Sequence, residues 1–157
     1  MMSFDLTDSL LKAYATNHRI NIYLIKNVPD EAWREKFAKK GRDVASIVAH
    51  MHNVRLMWLK AAGKTAILPA KLDGDASTKD DAIQAHQQSW QAVDHVLRDA
   101  FASDGRVKGF KPDAGSFAAY LLAHDAHHRG QISMLARLLG HPLSQSAMFG
   151  LWEWGTR

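Results

Sequence analysis

Residues 117–140 read FAAYLLAHDAHHRGQISMLARLLG, and their spacing decides the fold. Phe117, Leu121, His124, His128, Ile132, Leu135 and Leu139 follow one another at steps of three or four. They therefore share one face of an α-helix with 3.6 residues per turn. Gly140 can take the left-handed conformation that closes a helix, and Pro142 cannot continue one. The pattern predicts a helix from about Ser116 to Leu139. Its seam is apolar except in the middle, where two imidazoles stand in core positions. A buried polar group without a partner costs about 1–3 kcal/mol. Either the seam opens to water there, or something inside satisfies the rings.

The same period recurs three times upstream, and no segment alternates as a strand would. Leu6, Leu10, Tyr14, Asn17, Asn21 and Leu24 mark a helix from about Leu6 to Asn27, which "NVPDEAW" stops at Pro29. Asp30 can cap a short turn holding Trp33. A second long helix runs from Asp43, a plausible N-cap, to Ala62, with Gly63 as its stop. Its stripe is Ile47, His50/Met51, Val54 and Trp58. A third begins near Thr78, where Asp81 completes an approximate capping box, and carries Ile83, Trp90, Val93, Leu97 and Phe101. The tail "MFGLWEWG" is predicted as one turn lying over the bundle end. Four helices of about 20 residues predict an all-α, four-helix bundle as a single domain over residues 1–157. The connectors are long enough to leave the order of the helices in the bundle open.

Composition narrows the function classes. With 46% hydrophobic and 23% charged residues the chain is globular. It has no cysteine, which excludes disulfides, thiolate metal ligands and a catalytic thiol of its own. No signal segment or membrane-length apolar run is present, so a cytoplasmic protein without a membrane partner is expected. The formal charge is +4, but Lys39, Lys40 and Arg42 cluster in a connector with no interleaved aromatics. A solvated loop is expected there, and no nucleic-acid partner.

The histidines carry the chemistry. His124 and His128 are one helical turn apart, so their Cβ atoms lie about 5–6 Å apart on one face. That spacing lets two imidazoles meet one ion at about 2.0–2.1 Å each. His50 falls on the apolar stripe of the second helix, whereas His52 lies about 200° away and is expected in solvent. His127 reads as a boundary residue. Three neutral imidazoles with positions left for water make an open, catalytic type of site. Two other metal readings fail. A di-iron bundle needs inward glutamates and Glu-x-x-His pairs, but Leu121 and Asp125 stand three residues before His124 and His128. The sequence "HDAHH" also lacks the glutamate of the H-E-x-x-H zincins.

The segment "HDAHHRGQI", together with "SIVAHMHNVRLMWL", the "VPDEAW" turn and the "FGLWEWG" tail, resembles the DinB/YfiT-like family of small four-helix metalloproteins. The likeness covers nearly the whole chain. It implies one divalent metal ion, most often zinc or nickel, held by His50, His124 and His128. It also implies a homodimer and, in some relatives, transfer chemistry with low-molecular-weight thiols. Iron or manganese also suit such a ligand set. Gln131 could orient an imidazole or bond to the tail. Asn17 and Asn21 could line the pocket or merely fix helix register. Arg129 is expected to point outward, and Gly130 to admit a close neighbour.

Two function classes follow. In one, the protein is a metal-dependent transferase that activates a low-molecular-weight thiol, or a hydrolase that activates water, on a small-molecule substrate. In the other it is a non-catalytic metal-holding or stress-associated binding module. No catalytic base can be named from the sequence. The 63–77 connector and the aromatic tail are expected to shape the mouth, with Lys64 and Lys71 set against Asp73 and Asp75. A cation lined by neutral ligands predicts a preference for anionic substrates.

Overall fold

The computed structural model describes residues 4–157 and is all-helical. Its α-helices are α1 (Leu6–Asn27), α2 (Asp30–Arg34), α3 (Val44–Ala61), α4 (Lys79–Phe101), α5 (Ala114–Leu138) and α6 (Gln145–Gly150). Each long helix starts where a side chain accepts from its free N–H groups. Asp5 caps α1, Asp43 caps α3, Thr78 and Asp81 form a reciprocal capping box on α4, and Asp113 caps α5. The fourth long helix thus begins before Ser116, because the Asp113 carboxylate accepts from the Ser116 N–H at 2.7 Å. Pro29, not Asp30, stands at the cap of α2, and Asp30 is its first helical residue. Gly63 (φ 75°) and Gly140 (φ 83°) take the left-handed conformation just past α3 and α5, as expected of helix stops.

α1 and α3 lie diagonally, each packed between α4 and α5. Cross-helix contacts fix the directions. Leu11 and Tyr14 of α1 share one apolar cluster with Phe117 and Leu121 of α5, and Leu24 and Ile25 share the other with Ile132 and Ala136, so this pair is parallel. On α4, His86 reaches the Val48 carbonyl and Ser89 receives Arg55, so α3 and α4 are parallel too. The order is up-down-down-up. The 62–78 connection must travel the length of the bundle to start a parallel neighbour, which is why it is long.

That crossover corrects the expectation for His52. The ring is fully buried, and its Nε2–H donates to the Ala70 carbonyl at 2.9 Å. Asn53 beside it exchanges two hydrogen bonds with the Leu72 backbone. Periodicity assigns α3 one buried stripe, but the crossover covers a second side of it.

The interior has two apolar layers. One gathers Leu24, Val48, Met51 and Ile132, and the other Tyr14, Leu59, Val93, Leu97, Phe117 and Leu121. Between them every long helix contributes polar groups: Asn17 and Asn21, Arg55, His86 and Ser89, and Asp125, all buried. At its centre Arg55 Nη2 meets Asp125 Oδ2 at 2.8 Å, each side chain 1% exposed.

Candidate metal centre

α3 and α5 run antiparallel, so a histidine early in α3 meets the middle of α5. His50, His124 and His128 each turn a ring nitrogen inward, and these atoms all lie within 4.8 Å of one another. The Nε2 atoms of His124 and His128 are 3.1 Å apart. Ring centroids are 4.8 Å apart for His50 and His128 and 5.4 Å for His50 and His124. Two nitrogens bound tetrahedrally at about 2.0–2.1 Å would stand roughly 3.3 Å apart, so the donor set fits a divalent ion. Among the described residues this is the cluster that could hold one.

The protonation states suit ligation. Burial, then the nearby Arg42 guanidinium, lowers His50 to about 4. Burial also lowers His128, against the opposing pull of Gln131. Neutral imidazoles are the ligand form. Gln131 fixes the tautomer: its Oε1 accepts from His128 Nδ1–H at 2.8 Å, leaving the Nε2 lone pair for the cluster. The Gln131 amide nitrogen donates to His127 Nε2 at 3.0 Å, which sets the direction of the amide. Gln131 therefore orients a candidate ligand rather than holding the tail. His127 itself is exposed, as a boundary residue should be.

The trio sits at the edge of the core, not in its middle. His50 and His124 are half-buried, while Asp125 occupies the fully buried place on α5. Leu121, Asp125, His128 and Ile132 make an equally good helical seam, and the periodicity alone does not choose between His124 and Asp125. The edge position leaves the cluster open to two clefts. One, of about 700 Å³, is lined by His50, Asn53 and crossover residues 71–75. The other, of about 610 Å³, is lined by His128, Gln131 and Leu135. Arg42 borders both. The crossover thus shapes the mouth as expected, through Lys71, Asp73 and Asp75. Lys64 pairs with Asp99 instead, and the aromatic tail borders a different cleft.

Asn17 and Asn21 lie behind the ligands rather than on them. Each donates its amide to Asp125 Oδ2, at 2.7 and 2.8 Å, and each offers its carbonyl to Arg129 at 2.6 Å. Arg129 accordingly turns inward, because two amide oxygens supplied by α1 replace water around its guanidinium. Gly130 has no close neighbour: a Cβ there would meet no atom within 4 Å. The close approach occurs at Gly150, where a Cβ would run into the Tyr23 phenol. The tail reaches α1 there, with the Arg157 guanidinium 3.8 Å from the Tyr23 ring centre.

Asp125, Arg55, His18 and His86 escaped the sequence reading. Burial raises the Asp125 carboxyl, but Arg55 and the surrounding donors reverse this and hold it far below the usual carboxylate range. His86 is fully buried and donates to the Val48 carbonyl at 2.9 Å. His18 bonds Gln87 at 2.8 Å and stacks on Trp90. A polar residue in a helical core period was the available signal for all four. A core-facing histidine is thus common here, and convergence is what separates the trio from the rest.

Comparison with known proteins agrees with this architecture. The model of the DinB family matches residues 2–153. A crystal structure from Exiguobacterium sibiricum, assigned to the DinB family, superposes with a TM-score of 0.63 at 18% identity. The match covers 93% of this chain and 99% of that one. At that identity it speaks for the fold alone. No curated protein sequence matches.

Proposed function

The chain belongs to the DinB family, and from that premise we propose that it is a metal-dependent transferase for a low-molecular-weight thiol. The carrying observation is the convergence of His50, His124 and His128, with Gln131 turning one lone pair into the cluster. Zinc or nickel is the proposed ion, with iron and manganese as further candidates. Three neutral ligands leave the full charge on an ion, which would act as a Lewis acid on a thiol or water at an open position.

The carboxylate nearest the trio separates these two substrates. Asp125 Oδ1 is 3.9 Å from His124 Nδ1, but its other oxygen is held by Arg55, Asn17 and Asn21. Asp125 is therefore no free base for water. A thiol acidified by a metal needs none, since the thiolate is already the nucleophile. In the transfer, sulfur forms a bond to an electrophilic carbon, the leaving group departs with its electron pair, and the thiol proton passes to solvent. Arg42, exposed and bordering both clefts, would attract an anionic co-substrate. A homodimer belongs to the same reading, and sedimentation velocity would measure it.

The test has two stages. Elemental analysis of protein purified without a nickel column should find about one divalent ion per chain, and none in a His124→Ala/His128→Ala variant. The loaded protein should then accelerate conjugation of small thiols to monochlorobimane, with chloride released. Metal bound at the trio without acceleration for any thiol would leave the metal-holding module as the function. Because Asp125 is held by Arg55, Asn17 and Asn21, that second reading is favoured over a hydrolase using this carboxylate as base.

A further inference from the structure

The polar layer does not balance its charge. Asp125 Oδ2 accepts from Arg55, Asn17 and Asn21 together. Arg129 reaches the same group only through the two asparagines. Two guanidiniums therefore share one carboxylate. The histidines of the layer do not restore the balance, because neutral imidazoles carry no charge. No carboxylate lies within ion-pair distance of Arg129 among the described residues. Removing a cation from water without an anion is costly.

The unmatched charge faces a cleft of about 630 Å³ between α5 and the C-terminal segment. Arg129 and Asn17 contribute its polar floor, and Leu122, Met134, Met148 and Trp152 its apolar walls. No acidic side chain lines it, while Arg137 adds a second cation. Trp152 is 79% exposed, so most of this wall is uncovered. The open space over Gly130 continues the cleft along α5. None of the three clustered histidines borders this space.

We propose that this cleft binds an amphipathic anion, a carboxylate on an aliphatic or aromatic body, with Arg129 gripping the carboxylate. The volume falls in the range of small-molecule sites, about 300–1,000 Å³. A guanidinium presents a planar fork that matches a carboxylate. Arg129 is pre-oriented for this, since the asparagine carbonyls already hold one of its nitrogens. The apolar body would lie along Leu122, Met134 and Trp152. The cleft adjoins the one beside His128 at Gly130 and Met134, but none of the clustered histidines lines it and binding there does not depend on an ion.

Octanoate and octanamide are a suitable pair, differing in charge and not in body. Titration of the full chain after chelator treatment removes any contact between carboxylate and metal. Calorimetry and the indole N–H resonances of Trp152 and Trp154 report occupancy. Octanoate should bind at least ten-fold more tightly than octanamide, with the ratio falling as salt rises. Arg129→Gln should abolish the preference. Because that residue also braces α1, Ala126→Phe provides an independent test: it fills the cleft from an exposed position and should remove octanoate binding while the circular dichroism stays unchanged. Equal affinity for the pair would overturn the proposal. So would binding that survives Ala126→Phe, or no octanoate binding at all. A cleft found closed by self-association, with the tryptophan signals freed only on dilution, would assign it to a second copy and overturn the proposal as well.

Discussion

At the scale of single residues, two side chains on α5 carry separable jobs. Gln131 contributes no ligand atom, yet it decides which nitrogen of His128 is free. Gln131→Leu keeps the size but removes the acceptor, so metal affinity should fall about 10–100-fold, as for other partners of ligating histidines. Calorimetric titration with zinc would measure it, and unchanged affinity would show that the tautomer is set elsewhere. Asp125 is the opposite case, a group whose loss is felt by the fold. Asp125→Ala leaves the Arg55 guanidinium buried and unpaired, so stability should drop by about 3–5 kcal/mol. Urea unfolding would report this directly. A change below about 1 kcal/mol would mean that water reaches the layer and repays the lost partner.

At the scale of elements, the caps and the crossover do different work. The caps are local. Asp113 satisfies the Ser116 N–H at the start of α5, so Asp113→Ala should cost about 1 kcal/mol without moving the centre of the helix. The crossover is held by α3 through His52 and Asn53. Asn53→Ala removes two hydrogen bonds, each with a net worth of about 0.5–1.5 kcal/mol. The effect should concentrate on residues 71–75, which line the cleft beside His50. Amide hydrogen exchange at Leu72, whose N–H donates to Asn53 at 3.0 Å, should accelerate by at least ten-fold while exchange in the middle of α5 stays unchanged. Uniform acceleration across the bundle would instead make the crossover part of the global folding unit.

At the scale of the whole molecule, buried histidines outside the candidate centre link stability to pH. Burial pushes His18 down to about 4, and burial with Arg55 nearby pushes His86 down to about 3. In the unfolded chain both titrate near 6.5. Below that value the unfolded chain binds protons that the folded chain refuses, so stability rises with pH across this window. The contribution of these two rings is fully present above about pH 6.5 and is lost progressively as pH falls toward 4 and 3. Melting temperatures of metal-free protein between pH 8 and pH 4 should decline on that curve, and His86→Gln should make the decline shallower. A flat profile would mean that both rings gain a partner that accepts the charge. No helix among the described residues is long and apolar enough to cross a membrane.

The sequence by itself determined the four long helices, the caps at Asp43 and at Thr78 with Asp81, the stops at Gly63 and Gly140, and the helical faces that carry His50, His124 and His128. Those features depend on neighbours a few positions away, and helical periodicity encodes them locally. Tertiary structure decided everything that required knowing what covers a face. His52 reads as solvent-facing until the crossover lies over it. Arg129 reads as outward until Asn17 and Asn21 arrive from α1. Asp125 and His124 are adjacent on one helix, and only the positions of α1 and α3 decide which is sealed in and which opens to a cleft. The direction of each helix also lay beyond the sequence pattern, because a periodic stripe is the same read up or down. The parallel pairing of α3 with α4 follows from contacts 30 or more residues apart, such as His86 with Val48. It is this pairing that sends the connector past the candidate metal centre and builds one wall of its mouth.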